Sequence, residues 1–372
     1  MSNSFILEPK QLATTLGFMQ PIVSKKTTMQ ATSLILFHVT SKELILKATD
    51  LEISLQYTCP IQQSTVTNQQ FLVSGKKIFD IVRELDSDII FTLNKNQLDL
   101  KSGKVQLTLN IKDAQEFPPL PERIENLMHI DREFLLDMFT KVSFLIPQNN
   151  ATPSLNGLFL EISPTEFTMT STDGHCLVQV TSDKYALADN KKWLMPRRAV
   201  FEIKKILENC VDEAVFIGIC NNQLVFSGES FNFFTKLLAD QFPAYQAIMK
   251  KEGFVPARVS RGDFIKTLRR SSCLLSGQFL AATFNFSQDN LKVCLKNNEV
   301  GSLEEVMPLQ DYNADTLEMK FYSPYLLNGL QSLPGEQVTC YLKSTTRPII
   351  FESLDKNSQM TYLVMPVSTT TK

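Results

Sequence analysis

Few side chains in this chain have the make-up of a catalytic or metal centre. There are three histidines, His38, His129 and His175, set far apart in sequence, so a histidine-based relay or metal site would have to draw them from different parts of the fold. The seven cysteines are an odd number, and Cys59, Cys176, Cys210, Cys220, Cys273, Cys294 and Cys340 contain no CxxC pair. That pattern fits small buried hydrophobes in a reducing cytosol better than a disulfide framework or a zinc site. In a strand, Asp50 and Glu52 of Ala48-Thr-Asp-Leu-Glu-Ile53 would share one face, but acids so placed usually form turns or a solvated rim. An enzyme reading would have to assemble its site across domains around Asp50, or Asp173 with His175. No phosphate-binding GxxxxGK[ST] loop, GxGxxG, HExxH or GxSxG elbow is present. Binding rather than catalysis is expected, with no cofactor and no metal.

The elements that would position these residues repeat. Phe71-Leu-Val-Ser-Gly-Lys-Lys-Ile-Phe-Asp-Ile-Val-Arg-Glu-Leu85 has a counterpart at Trp193 to Leu207 and a weaker one at Met319 to Leu333, at offsets of 122 and 126 residues. Asn96-Gln97-Leu98 and Asn222-Gln223-Leu224 each precede a strand, a turn and another strand, and those copies close on Glu116-Phe-Pro118 and Gln241-Phe-Pro243. A period this long is domain-sized. The reading is an α+β chain of three tandem similar domains, 1–127, 128–253 and 254–372, each with two helices packed on antiparallel sheet.

Each third opens on a strand (Ser4 to Leu7, Met128 to Ile130, Ala257 to Val259) and runs into a helix. The first helices carry apolar residues at helical spacing: Leu12, Leu16 and Met19; Leu135, Met138 and Val142; Ile265 and Leu268. Leu34–Val39, Gly157–Ile162 and Ala282–Phe286 alternate as strands. The second helices bear Ile78, Val82 and Leu85; Val200, Ile203 and Leu207; Leu326, Leu330 and Leu333. Pro118 to Asn126 and Lys250 to Pro256 read as linkers. With 372 residues, 43% hydrophobic and 20% charged, the chain has the composition of an ordinary globular protein with two or three cores. Neither export nor a membrane span is expected.

Thirty-seven basic against 39 acidic residues leave a formal charge of −2, which argues against a protein that coats nucleic acid indiscriminately. The basic residues nevertheless gather on helices: Lys76, Lys77 and Arg83; Arg197, Arg198, Lys204 and Lys205; Lys266, Arg269 and Arg270. On one helix such a face is merely wet. Repeated at equivalent positions, it suits a positive surface that meets phosphates without reading bases. The second helix of the third unit breaks the pattern, with no basic residue after Lys320.

Ala48-Thr-Asp-Leu-Glu-Ile53, Leu155-Asn-Gly157, Ser171-Thr-Asp-Gly-His-Cys-Leu177, Met195-Pro-Arg-Arg198, Asp240-Gln-Phe-Pro-Ala-Tyr245 and Tyr362-Leu-Val-Met-Pro366 together resemble the bacterial sliding clamps, the beta subunits of the DNA polymerase III holoenzyme. The resemblance runs over essentially the whole chain, in order. It implies the DNA clamp fold, a cytoplasmic homodimer forming a six-domain ring around duplex DNA, and a non-catalytic processivity factor that tethers the replicative polymerase, the clamp loader and repair proteins. It places Lys25, Lys26, Gln148 and Asn149 at the DNA, with Arg197, Lys204, Lys205, Lys266, Arg269 and Arg270 as lining candidates. It also sets Leu107 and Leu109 against Cys273 and Leu274 of a second copy. A three-domain scaffold that binds peptides without encircling DNA is the alternative.

The resemblance further implies a cleft for short linear motifs, walled by Leu155, Thr172, Gly174, His175, Leu177, Pro243 and Ile248, and by Phe279, Pro348, Leu363, Val364, Met365, Pro366 and Val367. Asp173-Gly174 suits a tight turn there, and the apolar terminal run would otherwise be an exposed patch. Thr152, Cys176 and Ala247 stand where many relatives carry arginine, so a less basic, more apolar rim and a different motif preference are expected. Residues 368–372 extend past the usual end.

Overall fold

The computed structural model describes residues 3–24, 28–121, 124–275, 280–355 and 357–367. Lys25, Lys26, Phe279 and the tail 368–372 therefore lie outside the described residues. Seven α-helices are present among them: α1 Pro9–Val23, α2 Gly75–Val82, α3 Arg132–Ser143, α4 Arg197–Asn209, the single turn α5 Gln246–Met249, α6 Arg261–Ser272 and α7 Ser323–Ser332. The apolar stripes read from sequence are the buried ones: Leu12, Leu16 and Met19, then Ile78 and Val82, Leu135, Met138 and Val142, Val200, Ile203 and Leu207, Ile265 and Leu268, Leu326 and Leu330. Burying each of these side chains stabilises by roughly 1.5–3 kcal/mol, far more than any one helix propensity term. Two stripes outrun their helices: α2 ends at Val82 with Leu85 half-buried beyond it, and α7 ends at Ser332 with Leu333 buried just past its end.

Every strand pairing is antiparallel, and the chain packs as two compact units, Met1–Leu136 with Arg198–Leu237, and Asp137–Arg197 with Leu238–Lys372. The first unit holds a five-stranded sheet ending on the edge strand Val105–Asn110, and a nine-stranded sheet. The larger sheet draws strands from two repeats. Ile53–Pro60 of the first pairs with Phe231–Lys236 of the second, Phe233 opposite Leu55 and Thr235 opposite Ile53. In the second unit an eight-stranded sheet does the same, joining Cys176–Ser182 to Gln359–Val364 with Leu177 opposite Leu363. A four-stranded sheet ends on the edge strand Gly301–Pro308.

Both expected linkers are shorter than the sequence suggested. Strand Glu125–Asp131 begins inside the first, with a bulge between Asn126 and Met128 that blurs its period-two pattern. Strand Val255–Ser260 takes in Pro256 from the second, which a sheet tolerates because that strand lies at the edge. None of the described helices is long and apolar enough to cross a membrane.

Candidate functional site

The turn Thr172–Cys176 is built by its own side chains. Asp173 Oδ1 accepts the N–H groups of His175 (2.8 Å) and Cys176 (2.7 Å), while Thr172 Oγ1 accepts from Gly174 N at 3.1 Å and donates to the Cys176 carbonyl. Gly174 sits at φ +94°, where a side chain would be strained. This turn lays the His175 ring on Tyr325 of α7, centroids 5.5 Å apart and planes 17° from parallel, with Tyr322 edge-on to Tyr325 at 5.0 Å. Met365 N then bonds the His175 carbonyl at 2.9 Å, and Val367 N bonds the Lys320 carbonyl at 2.7 Å. The last described residues are thereby strapped between the terminal strand and Leu317–Phe321, an edge of the four-stranded sheet.

Strand alternation divides the expected cleft residues between two faces. Leu177 and Leu363 are opposite one another on one face, in a cluster with Leu194, Phe242, Tyr245 and Ile350, against which Ile248 of α5 packs. Val364 and Cys176 point the other way, with Tyr362, whose hydroxyl donates to the Tyr325 carbonyl at 2.6 Å. Leu155, Thr172 and Pro348 are buried, whereas Gly174, His175 and Pro243 are exposed and Ile248, Met365, Pro366 and Val367 are half-buried. The accessible surface is thus a shallow strip over a deep apolar floor. Of the three positions expected at the rim, Thr152 and Ala247 are exposed but Cys176 is not. It is 1% exposed, and burial pushes its thiol pKa well up, so it is an inward packing residue. Tyr322 and Tyr325 were missed. Their only sequence signal is their position at the start of the third repeat's second helix.

The basic residues are less uniformly available than their spacing suggests. In the first unit, Lys205 Nζ donates to the Gly17 carbonyl (3.2 Å) and lies 6.0 Å from the Phe18 ring centre, and Lys204 pairs loosely with Glu208 at 3.9 Å. Arg198 pairs with Asp50 and donates to the Pro21 carbonyl at 2.7 Å. Asp50 is fully buried. Burial raises its pKa, but the N–H groups of Ile53 and Glu52 and the Arg198 guanidinium outweigh that and leave it below the ordinary carboxylate value. In the second unit, Arg197 Nε caps the Ile146 carbonyl at 3.0 Å, beside the exposed Gln148 and Asn149. Lys266 pairs with Asp263 at 3.3 Å and Arg269 is exposed. Arg270 is drawn to Glu305 on the edge strand, so it serves that edge at least as much as any helix face.

Leu107 (38% exposed) and the half-buried Leu109 lie on the free edge strand Val105–Asn110. Cys273 caps α6 with an exposed thiol, and Leu274 follows it, half-buried, its carbonyl taking the Asn297 amide at 2.7 Å. Strand Gly301–Pro308, with Val306 56% exposed, is another edge strand, at the far side of the four-stranded sheet from Leu317–Phe321. Among the described residues, no group of three His, Cys, Asp or Glu could hold a metal. His38 bonds Asn68 and His129 packs on Phe216.

Three family models match in succession: DNA polymerase III beta subunit N-terminal domain over residues 3–121, central domain over 129–244, and C-terminal domain over 248–368. A beta sliding clamp of Pseudomonas putida is 25% identical over 98% of this chain and 99% of its own length. The fold superposes on a DNA polymerase sliding clamp from Pseudomonas aeruginosa with ligand (TM-score 0.89, 24% identity, 98% of this chain and 100% of that one). It also superposes on a sliding clamp from Bartonella birtlesii bound to griselimycin (TM-score 0.89, 25% identity, 99% and 100%).

Proposed function

Because this chain belongs to the DNA polymerase III beta subunit family, matched along nearly its whole length, we propose that it is a DNA sliding clamp and that two copies close head to tail into a ring around duplex DNA. The observation that carries this reading is the threefold repeat itself, with the three family models falling on successive repeats. In this reading the domains run 1–127, 128–253 and 254–372. The protein catalyses nothing; it works in the cytoplasm as a processivity factor, and its hold on DNA is topological. A near-neutral charge then suits it, since only the lining needs to attract phosphate and strong adhesion would impede sliding. Arg197, Lys204, Lys205, Lys266 and Arg269 are the lining candidates, with Gln148, Asn149, Lys25 and Lys26. Arg270 is the weakest, given its pairing with Glu305.

Closure joins edge to edge. Strand Val105–Asn110, flanked by Lys101, Lys104 and Lys112, meets strand Gly301–Pro308, which carries Glu304 and Glu305 beside Glu299. Pairing satisfies two edges that would otherwise invite aggregation, although Glu304 and Glu305 already pair with Lys292 and Arg270. Leu107 and Leu109 then face the partner copy near Cys273 and Leu274. The polymerase, clamp loader and repair proteins insert apolar anchors of a short linear motif over Leu177, Ile248, Leu363 and Met365. The decisive assay places the protein on nicked circular DNA with its clamp loader and then cuts the circle. Loss of bound protein on linearisation supports the ring, whereas retention on the linear product refutes it.

A further inference from the structure

Three turns of this chain are the same device. Asp50, Asp173 and Asn297 each use one side-chain oxygen to accept the N–H groups two and three residues on: Glu52 and Ile53, His175 and Cys176, Glu299 and Val300. They differ in what the rest of the side chain does. The second oxygen of Asp50 holds the guanidinium of Arg198, the second residue of α4, which also donates to the Pro21 carbonyl. The Asn297 amide donates to the Leu274 carbonyl. Among the described residues, Asp173 has no ion-pair partner, because in the third repeat the place of Arg198 is taken by Pro324, the second residue of α7.

The surroundings of the vacated position still suit a guanidinium. The offset of 123 residues that carries Asp50 onto Asp173 carries Pro21, whose carbonyl takes Arg198, onto Phe144. The stacked His175 and half-buried Tyr325 rings add an aromatic face, on which planar cations stack well. We propose that this end of the cleft, between Asp173, His175 and Tyr325, takes an arginine of the partner peptide a few residues from its apolar anchors. The bound arginine reproduces in trans the contact that Arg198 makes in cis. The inference rests on the cleft reading above and specifies the charge of the motif.

Fluorescein-labelled octapeptides ending in a Leu-Phe pair, with arginine, citrulline or glutamine scanned through the four preceding positions, test it by fluorescence polarisation. At one position arginine binds about tenfold tighter than its neutral isostere citrulline, ~1.4 kcal/mol. In D173N the ratio of arginine to citrulline affinity, both peptides measured on that variant, falls within about twofold. Asn297 shows that asparagine supports this turn, so the variant is expected to fold. Equal binding of arginine and citrulline peptides at every position, or an advantage that survives D173N, overturns this proposal alone. Absence of binding by every peptide overturns the cleft reading and this proposal with it.

Discussion

Replacing Arg198 with methionine removes the guanidinium while keeping much of its apolar stem, and it strands a carboxylate that has no exposed side-chain surface. Breaking a buried pair by deleting one partner typically costs about 3–5 kcal/mol. Arg198 is itself 31% exposed and Asp50 keeps two backbone N–H donors, so water and those donors offset part of the loss. We expect R198M to destabilise by about 2 kcal/mol, lowering the Tm by about 4–8 °C. D50N retains the turn but sets an amide against the guanidinium and loses a similar amount. The double variant D50N/R198M leaves no buried charge, so it recovers at least about 1 kcal/mol relative to the sum of the singles. The folded pKa of Asp50 lies below its unfolded value of 3.8, so the pair stabilises fully above that value and the contribution fades as pH falls through the lower folded value. The penalty of R198M is therefore full near neutral pH and shrinks as pH falls through that lower value. Additive single variants in calorimetry, or an R198M loss under about 0.5 kcal/mol, would refute the reasoning.

A β-carbon built at Gly329 falls 1.9 Å from the Tyr362 ring, so G329A pushes α7 off the terminal strand and costs about 3 kcal/mol, read as faster proteolysis of the second unit. Lys141 is nearly buried between Asp137 (2.7 Å), Asp355 (3.2 Å) and Ser358 (3.0 Å). K141M is expected to loosen strands Ile349–Leu354 and Gln359–Val364, with faster hydrogen exchange there and a loss of about 1 kcal/mol, since both acids remain half in water. Cys273 is the exposed thiol of the chain, so in the proposed ring it reacts slowly with a thiol reagent, whereas charged replacements of Leu107 and Leu274 give folded monomers in which it reacts fast. An unchanged dimer by sedimentation counts against that interface.

The repeat was legible because each copy buries the same helical stripe, and Val82, Ile203 and Leu330 could be read without coordinates. The parity of strand Cys176–Ser182 was also available and would have turned Cys176 inward once Leu177 was placed in the cleft. Other features were not available. Strand Gly301–Pro308 hides behind a Glu-Glu pair because both its faces are partly wet. The aromatic step of Tyr322 and Tyr325 exists only where a turn of one repeat meets a helix of the next. The engagement of Arg270 by Glu305 likewise depends on two segments distant in sequence.

The sheets that run across repeat boundaries constrain how this molecule can be dissected. A cut near residue 128 would leave Phe231–Lys236 without its neighbour Ile53–Pro60, baring a ladder that includes Phe231 and Phe233. Single repeats made as fragments should therefore self-associate. A soluble half is better obtained by splicing residue 136 to residue 198, which follows the chain's own packing rather than its internal sequence echo.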